Sequence, residues 1–355
     1  MLELSMLPAS EGDCLLLRYG DGKAQYRLLV DAGRKATYKK LLEALPPGDR
    51  HIELFVVTHV DRDHIEGALD LLGDAAAGFS FGDIWFNAYR HLVWDAESFG
   101  AVQGETLTSL IEDRELPWNL AFQGGPVRLD GKEPVTRELP GGLRITLLSP
   151  DRKKLEALIN RWEQDCATAG ILPSTVAAAD SGDHPVDPDW DPGIESFGGS
   201  LEDLAAMNTK EDSAPPNGSS IAFLAEYEGK AILFGADAHP ALLVRSLDAL
   251  GRPLPIECAL VKLPHHGSQA NVTRALLERV KSAHYFVSTN GNYFDHPDDV
   301  AIARVLTRDT APKTLYFNYR SDRTRPWDES PDQKAEYRYA CVFPATEDAP
   351  LTLGL

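Results

Sequence analysis

One stretch constrains the chain more than any other: Ile52-Glu53-Leu54-Phe55-Val56-Val57-Thr58-His59-Val60-Asp61-Arg62-Asp63-His64-Ile65-Glu66-Gly67. Residues 52–57 form a short apolar, β-branched run, the pattern of a buried strand. Ile65, Leu69, Leu71 and Leu72 then supply an apolar face that predicts a helix. Two imidazoles and two carboxylates (His59, Asp61, Asp63, His64) thus fall on the loop at the carboxyl end of a strand, where open α/β sheets place their sites. In a tight loop, residues i, i+2 and i+4 converge on one ion, and the adjacent pair Asp63-His64 can turn toward a second. Imidazole nitrogen suits zinc; added carboxylate oxygen also admits manganese or iron.

Other strand ends deliver the same kinds of side chain. The strand predicted at 231–234 runs into Gly235-Ala236-Asp237, so Asp237 arrives where a carboxylate bridging two cations must stand. A buried strand at 259–263 ends in Pro264-His265-His266-Gly267-Ser268. Adjacent histidines on an extended backbone point apart, so one is expected to face the metals: His265 by preference, with His266 the alternative or a general acid. A strand at 283–288 leads into a loop that ends at Asp295-His296-Pro297.

The spacing H-x-D-x-D-H resembles the metal signature of the metallo-β-lactamase superfamily, usually H-x-H-x-D-H. With Asp at its third position it is similar to the branch that includes the soluble domain of ComEC-type competence proteins and the phosphorylcholine esterases. Further motifs follow in family order. Glu11-Gly12-Asp13 resembles the Q-G-D that opens the domain, and Val30-Asp31-Ala32-Gly33 the "I-D-x-G" turn. Leu260-Val261-Lys262-Leu263-Pro264-His265-His266-Gly267-Ser268 resembles "L-K-x-P-H-H-G-S". The resemblance covers nearly the whole chain, weakly at 88–142, at 163–216 and in the tail.

It implies an α/β fold, a four-layer αβ/βα metallo-β-lactamase sandwich, as one domain over 1–355. It implies two divalent metal ions, Zn²⁺ or Mn²⁺, held by His59, Asp61, Asp63, His64, Asp237, His265 and His296. His296 stands where the superfamily's last histidine ligand arises, and is either that ligand or an acid on the substrate side. Asp31 is expected behind the metal loop, orienting a ligand. The superfamily's third histidine is missing; Asn217 and Ser219 occupy that place, as partners of a water or a phosphate oxygen. The "G-D-A" of the branch is broken here by Ala236. Asp63, His265, His266 and His296 are the catalytic candidates, and the implied reaction is hydrolysis of a phosphodiester, as in a nuclease.

Composition narrows the choice of substrate. The net charge is −19, a surface that repels a polyanion unless cations gather at the site. That argues mildly against a high-affinity, non-specific nucleic-acid binder but leaves room for an enzyme that touches phosphate mainly through its metals, so nucleic acid stays the first candidate substrate and a small phosphodiester or other small ester the alternative. From Asp180 to Asp212 there are ten acidic residues and a single lysine, with three prolines. An acidic insertion at about 163–216 is therefore expected to be mobile, and to serve as a lid or as the surface through which a protein partner regulates the enzyme. Cys14, Cys166, Cys258 and Cys341 show no C-x-x-C pairing, which suits free thiols in a reducing cytoplasm. No apolar run approaches a membrane span, and the first residues lack a signal-peptide pattern.

Overall fold

The computed structural model describes residues 1–92, 102–131, 133–169 and 200–355. One sheet has six strands: β1 (Leu2–Met6), β2 (Leu15–Gly20), β3 (Gln25–Val30), β4 (His51–Val56), β5 (Ser80–Trp85) and the last, β16 (Leu351–Gly354). Its order is β16-β1-β2-β3-β4-β5. The second sheet has eight: β6 (Thr136–Glu138), β7 (Arg144–Ser149), β8 (Ala222–Tyr227), β9 (Lys230–Phe234), β11 (Leu260–Lys262), β13 (His284–Val287), β14 (Lys313–Phe317) and β15 (Tyr339–Val342). Here the order is β15-β14-β13-β11-β9-β8-β7-β6. Two short strands, β10 (Ile256–Glu257) and β12 (Val280–Lys281), pair with each other alone.

Alternation of side chains along the strands builds the layers. Leu54 and Val56 of β4 turn inward and pack with Leu17 and Val30 against Ile145, Phe223, Phe234 and Phe286 of the second sheet. Phe55 turns outward and packs with Ile65, Leu71, Leu107 and Trp162 from helices α2 (Arg62–Gly73), α3 (Val102–Asp113) and α4 (Arg152–Ala169). α1 (Thr37–Ala44) adds Leu41 to the same layer. On the far side, Leu224, Leu233 and Val261 meet residues of α5 (Leu201–Ala205), α7 (Pro240–Ala249), α8 (Arg274–Arg279) and α9 (Asp299–Thr307). The result is the expected αβ/βα sandwich. Each large apolar side chain buried in it contributes roughly 1.5–3 kcal/mol.

β4 is parallel to β3 and β5, and β9, β11, β13 and β14 are mutually parallel. Their carboxyl ends gather along one edge. Backbone hydrogen bonds stitch the two sheets there: Ile221 N donates to the Thr58 carbonyl at 2.9 Å, and Asn290 N to the Ser10 carbonyl at 2.9 Å.

One expectation is corrected: the sequence also reads as a strand around 126–129. The strand expected at 126–129 is irregular chain, because Val127 spends its backbone N–H and C=O on the side-chain amide of Asn87, at 2.8 Å each. β16 had no clear signal in the sequence; it completes the first sheet beside β1. The end of the acidic insertion, 200–216, packs against the fold. Ser200 caps α5, Leu201 and Leu204 enter the core, and α6 (Pro215–Gly218) follows. Arg304 and Arg274 donate to the carbonyls of Met207 and Ala205 in this segment. Of the expected lid or partner surface at about 163–216, residues 170–199 lie outside the described residues. Among those described, no helix is long and apolar enough to cross a membrane, and all four cysteines are free thiols.

Candidate metal centre

The loop after β4 is pressed into place by close backbone contacts. A Cβ on Gly12 would lie 1.7 Å from the Asp63 carbonyl oxygen, and one on Gly67 would lie 2.1 Å from that of Ala32. Neither position admits a side chain. Asp61 stands in extended conformation just before α2, its side chain making no capping bond, and Asp63 and His64 fall on the first turn.

Behind the loop stands Asp31, fully buried and left-handed at φ 55°. It accepts hydrogen bonds from Thr58 N (2.7 Å), Thr58 Oγ1 (2.8 Å) and His64 Nδ1 (2.8 Å). The Thr58 hydroxyl, its proton committed to Asp31, accepts in turn from His59 Nδ1 at 3.0 Å. Across the site His266 Nδ1 donates to the Ser288 carbonyl at 2.8 Å, and His265 Nδ1 to Asn271 Oδ1 at 3.0 Å. Each of the four imidazoles therefore keeps a proton on Nδ1 and turns Nε2 toward the centre.

Those nitrogens converge on one carboxylate. Asp237 Oδ2 lies 3.8 Å from His59 Nε2, 3.4 Å from His64 Nε2, and 3.6 Å from the Nε2 atoms of His265 and His266. Asp63 Oδ2 is 3.5 Å from His64 Nε2 and 3.3 Å from His266 Nε2, and Asp61 Oδ2 is 3.4 Å from His59 Nε2. His64 and His266 bring their Nε2 atoms within 3.2 Å of each other. His59 Nε2 and Asp237 Oδ1 are buried with no hydrogen-bond partner. Donors that each sit about 2.0–2.1 Å from a tetrahedral cation lie about 3.3–3.4 Å apart, so these separations are those of ligand atoms facing a common ion. His59-His64-Asp237 and Asp63-His64-His266 are both compact enough to hold one.

Electrostatics agrees. Burial opposes the charged form of His64, yet Asp63, Asp237 and Asp31 outweigh it and hold the ring well above the usual histidine pKa. His265 is likewise pushed up to about 10, with burial opposed by Asp237 and Asp212. Asp237, which is buried, and Asp63, which is partly open to solvent, are held well below the carboxylate range by the histidines around them. The potential that draws protons onto these rings is the potential a cation meets.

The adjacent histidines differ from expectation: both turn inward. His265 (φ 44°) and His266 (φ 53°) are consecutive left-handed residues, which cancels the alternation of an extended chain. Ala236 is left-handed too (φ 45°), and in that way the extra residue before Asp237 is absorbed. His296 is buried beside the centre, its ring centroid 5.3 Å from that of His265 and its Nδ1 3.6 Å from Asp298 Oδ2. No carboxylate of the centre comes within 4 Å of its nitrogens among the described residues; Asp298 alone does. Asn217 and Ser219 are buried and engaged elsewhere: Asn217 Nδ2 donates to Asp212 Oδ2 (2.8 Å) and Ser219 Oγ to the Pro216 carbonyl (2.6 Å).

Sequence reasoning missed three contributors. Lys262 is wholly buried at the end of β11 and donates to Asp13 Oδ2 at 2.7 Å; Asp13 Oδ1 lies 3.8 Å from His266 Nδ1. Asp212 lies 3.5 Å from His265 Nδ1. Glu11 pairs with Arg34 (3.1 Å), whose guanidinium also faces Glu66 (3.4 Å) and lies 5.7 Å from the ring centre of Tyr293. Only the motif residues Asp13, Lys262 and Glu11 carried any signal in the sequence, and nothing in it paired them.

No protein-family model matches the chain, and no curated protein matches it. Among solved structures, the chain is similar to Zn(2+)-bound PqqB from Methylobacterium extorquens, with a TM-score of 0.46 and 13% identity, over 99% of this chain and 100% of that one.

Proposed function

We propose that this protein is a metal-dependent hydrolase of phosphodiesters. The observation that carries the reading is the Asp237 carboxylate, set among four imidazole Nε2 atoms whose rings are each anchored through Nδ1 on the far side. His59, Asp61, Asp63, His64, Asp237, His265 and His266 would hold two divalent cations, zinc or manganese, since they offer more donors than one tetrahedral ion accepts. Such ions, when bound, lower the pKa of water and polarise a phosphoryl group.

The chain supplies the rest. Asp31, Thr58, Ser288 and Asn271 fix the imidazoles by holding their Nδ1 protons, so no reorganisation is needed when substrate arrives. Asp63, partly open to solvent, stays ionised and accepts a hydrogen bond from the attacking water. Burial holds His296 below the usual histidine pKa, against the pull of Asp298, so its neutral ring keeps one N–H for the leaving oxygen. Three carboxylates among the seven donors favour a hard phosphoryl oxygen over an amide.

The rim favours a short substrate that carries a planar group. Tyr293 is 59% exposed on the loop that leads to His296, with Arg34 beside its ring. Arg34 is largely neutralised by Glu11 and Glu66, and the net charge of −19 disfavours a long polyanion.

Cleavage of bis-p-nitrophenyl phosphate, and of single- and double-stranded DNA and RNA of graded length, tests the reading in Mn²⁺ and in Zn²⁺. Turnover that is lost in Asp63→Ala is the expected result; cleavage that rises steeply with length would make the protein a nuclease. Absence of turnover on every diester, with metal bound, would overturn the reading. Tyr293→Ala should raise KM for aryl or nucleoside diesters roughly 5- to 100-fold while kcat changes less, the range expected from loss of one stacking partner.

A further inference from the structure

Asp212 comes from the segment that composition marks as acidic and loose, yet its carboxylate is only 7% exposed. It accepts from Asn217 Nδ2 (2.8 Å) and Asn271 Nδ2 (2.9 Å) through Oδ2, and from Ala214 N (2.9 Å) through Oδ1. Its own N–H donates to the Ala270 carbonyl at 3.2 Å. On its other side, His239 Nε2 lies 3.8 Å away and donates to the Ala214 carbonyl at 2.9 Å, while His239 Nδ1 meets Lys154 Nζ at 2.5 Å.

The amide of Asn271 decides what this carboxylate does. Its Nδ2 faces three acceptors: Asp212 Oδ2, the Asp237 carbonyl (3.2 Å) and the Ala238 carbonyl (3.3 Å). Turning the amide over would set its oxygen against all three. The orientation is thereby fixed, and Oδ1 is left facing His265 Nδ1. An amide oxygen only accepts, so the proton of His265 is kept on Nδ1 and its Nε2 on Asp237.

We infer that Asp212 is a positioning residue of the metal centre. Acting directly and through Asn271, it holds the tautomer and aim of His265, as Asp31 holds those of His64. The two halves of the centre are buttressed by separate carboxylates, one from the turn after β3 and one from the end of the acidic segment. The inference rests on the metal-centre reading, and a partner of this kind is worth about 10–100-fold in metal affinity.

The test uses the metal-stripped full chain, titrated with Zn²⁺ against a competing chelator, in wild type, Asp212→Asn, His265→Ala and the double variant. Asp212→Asn should weaken the binding of one ion about 10–100-fold and leave the other within threefold. On the His265→Ala background the effect of Asp212→Asn should shrink to within threefold. The visible spectrum of the Co²⁺-loaded Asp212→Asn protein should shift in the direction seen for His265→Ala. Two tightly bound ions in Asp212→Asn, or an effect undiminished when His265 is absent, would overturn the inference and leave the metal-centre reading standing. A wild-type chain that binds no ion would overturn both. If Asp212→Asn does not fold, Asp212→Ser replaces it in the same cycle, because it removes the carboxylate from both His265 and Asn271 with a smaller polar side chain.

Discussion

Asp237→Asn should lower turnover by about a thousandfold or more, with the fold retained. The substitution keeps the shape of the side chain and removes its charge. In the native site that carboxylate faces four Nε2 atoms within 3.4–3.8 Å and is the one group common to all of them. An amide there cannot neutralise a second cation, and its N–H₂ would face lone pairs or ions on every side. Steady-state kinetics on bis-p-nitrophenyl phosphate, with zinc content measured on the same sample, checks this. Activity within tenfold of wild type would show that Asp237 is not the shared ligand. The effect should exceed that of Asp212→Asn, since Asp212 acts only through His265.

Lys262→Met should destabilise the metal-free protein by about 3–5 kcal/mol. Lys262 and Asp13 form an ion pair at 2.7 Å with side chains 1% and 2% exposed. Taking away the ammonium leaves a carboxylate in the core with one oxygen, Oδ1, that has no hydrogen-bond partner even now. Replacing both partners, Lys262→Met with Asp13→Leu, should recover most of the loss, because an apolar pair avoids the cost of desolvating charge. Urea unfolding of the two variants and wild type measures both effects. A single variant as stable as wild type would show that the pair contributes nothing.

Much of the site was legible because its chemistry repeats at strand ends. β4, β9 and β11 each read as a buried apolar run followed at once by ligand-type side chains, and a parallel sheet must bring such ends to one edge. The place of Asp31 behind the metal loop was implied by the resemblance of Val30-Asp31-Ala32-Gly33 to the "I-D-x-G" turn. What stayed hidden depends on backbone conformation or on distance along the chain. That both His265 and His266 face inward follows from two successive positive φ angles, which no side-chain pattern reveals. Lys262 and Asp13 are 249 residues apart, and each alone reads as an ordinary charge. Asp212 was lost among its acidic neighbours: composition describes the run from Asp180 to Asp212 as a whole, while a single buried carboxylate at its end is selected by Asn217 and Asn271.

The central claim, that these side chains form a two-ion centre, is tested most directly by anomalous scattering at the zinc edge from a crystal of the full chain grown with Zn²⁺. Two peaks, both bonded to the Asp237 carboxylate and capped by the Nε2 atoms of His59, His64, His265 and His266, are the expected result. No peak at Asp237, or zinc bound only at surface carboxylates, would contradict it.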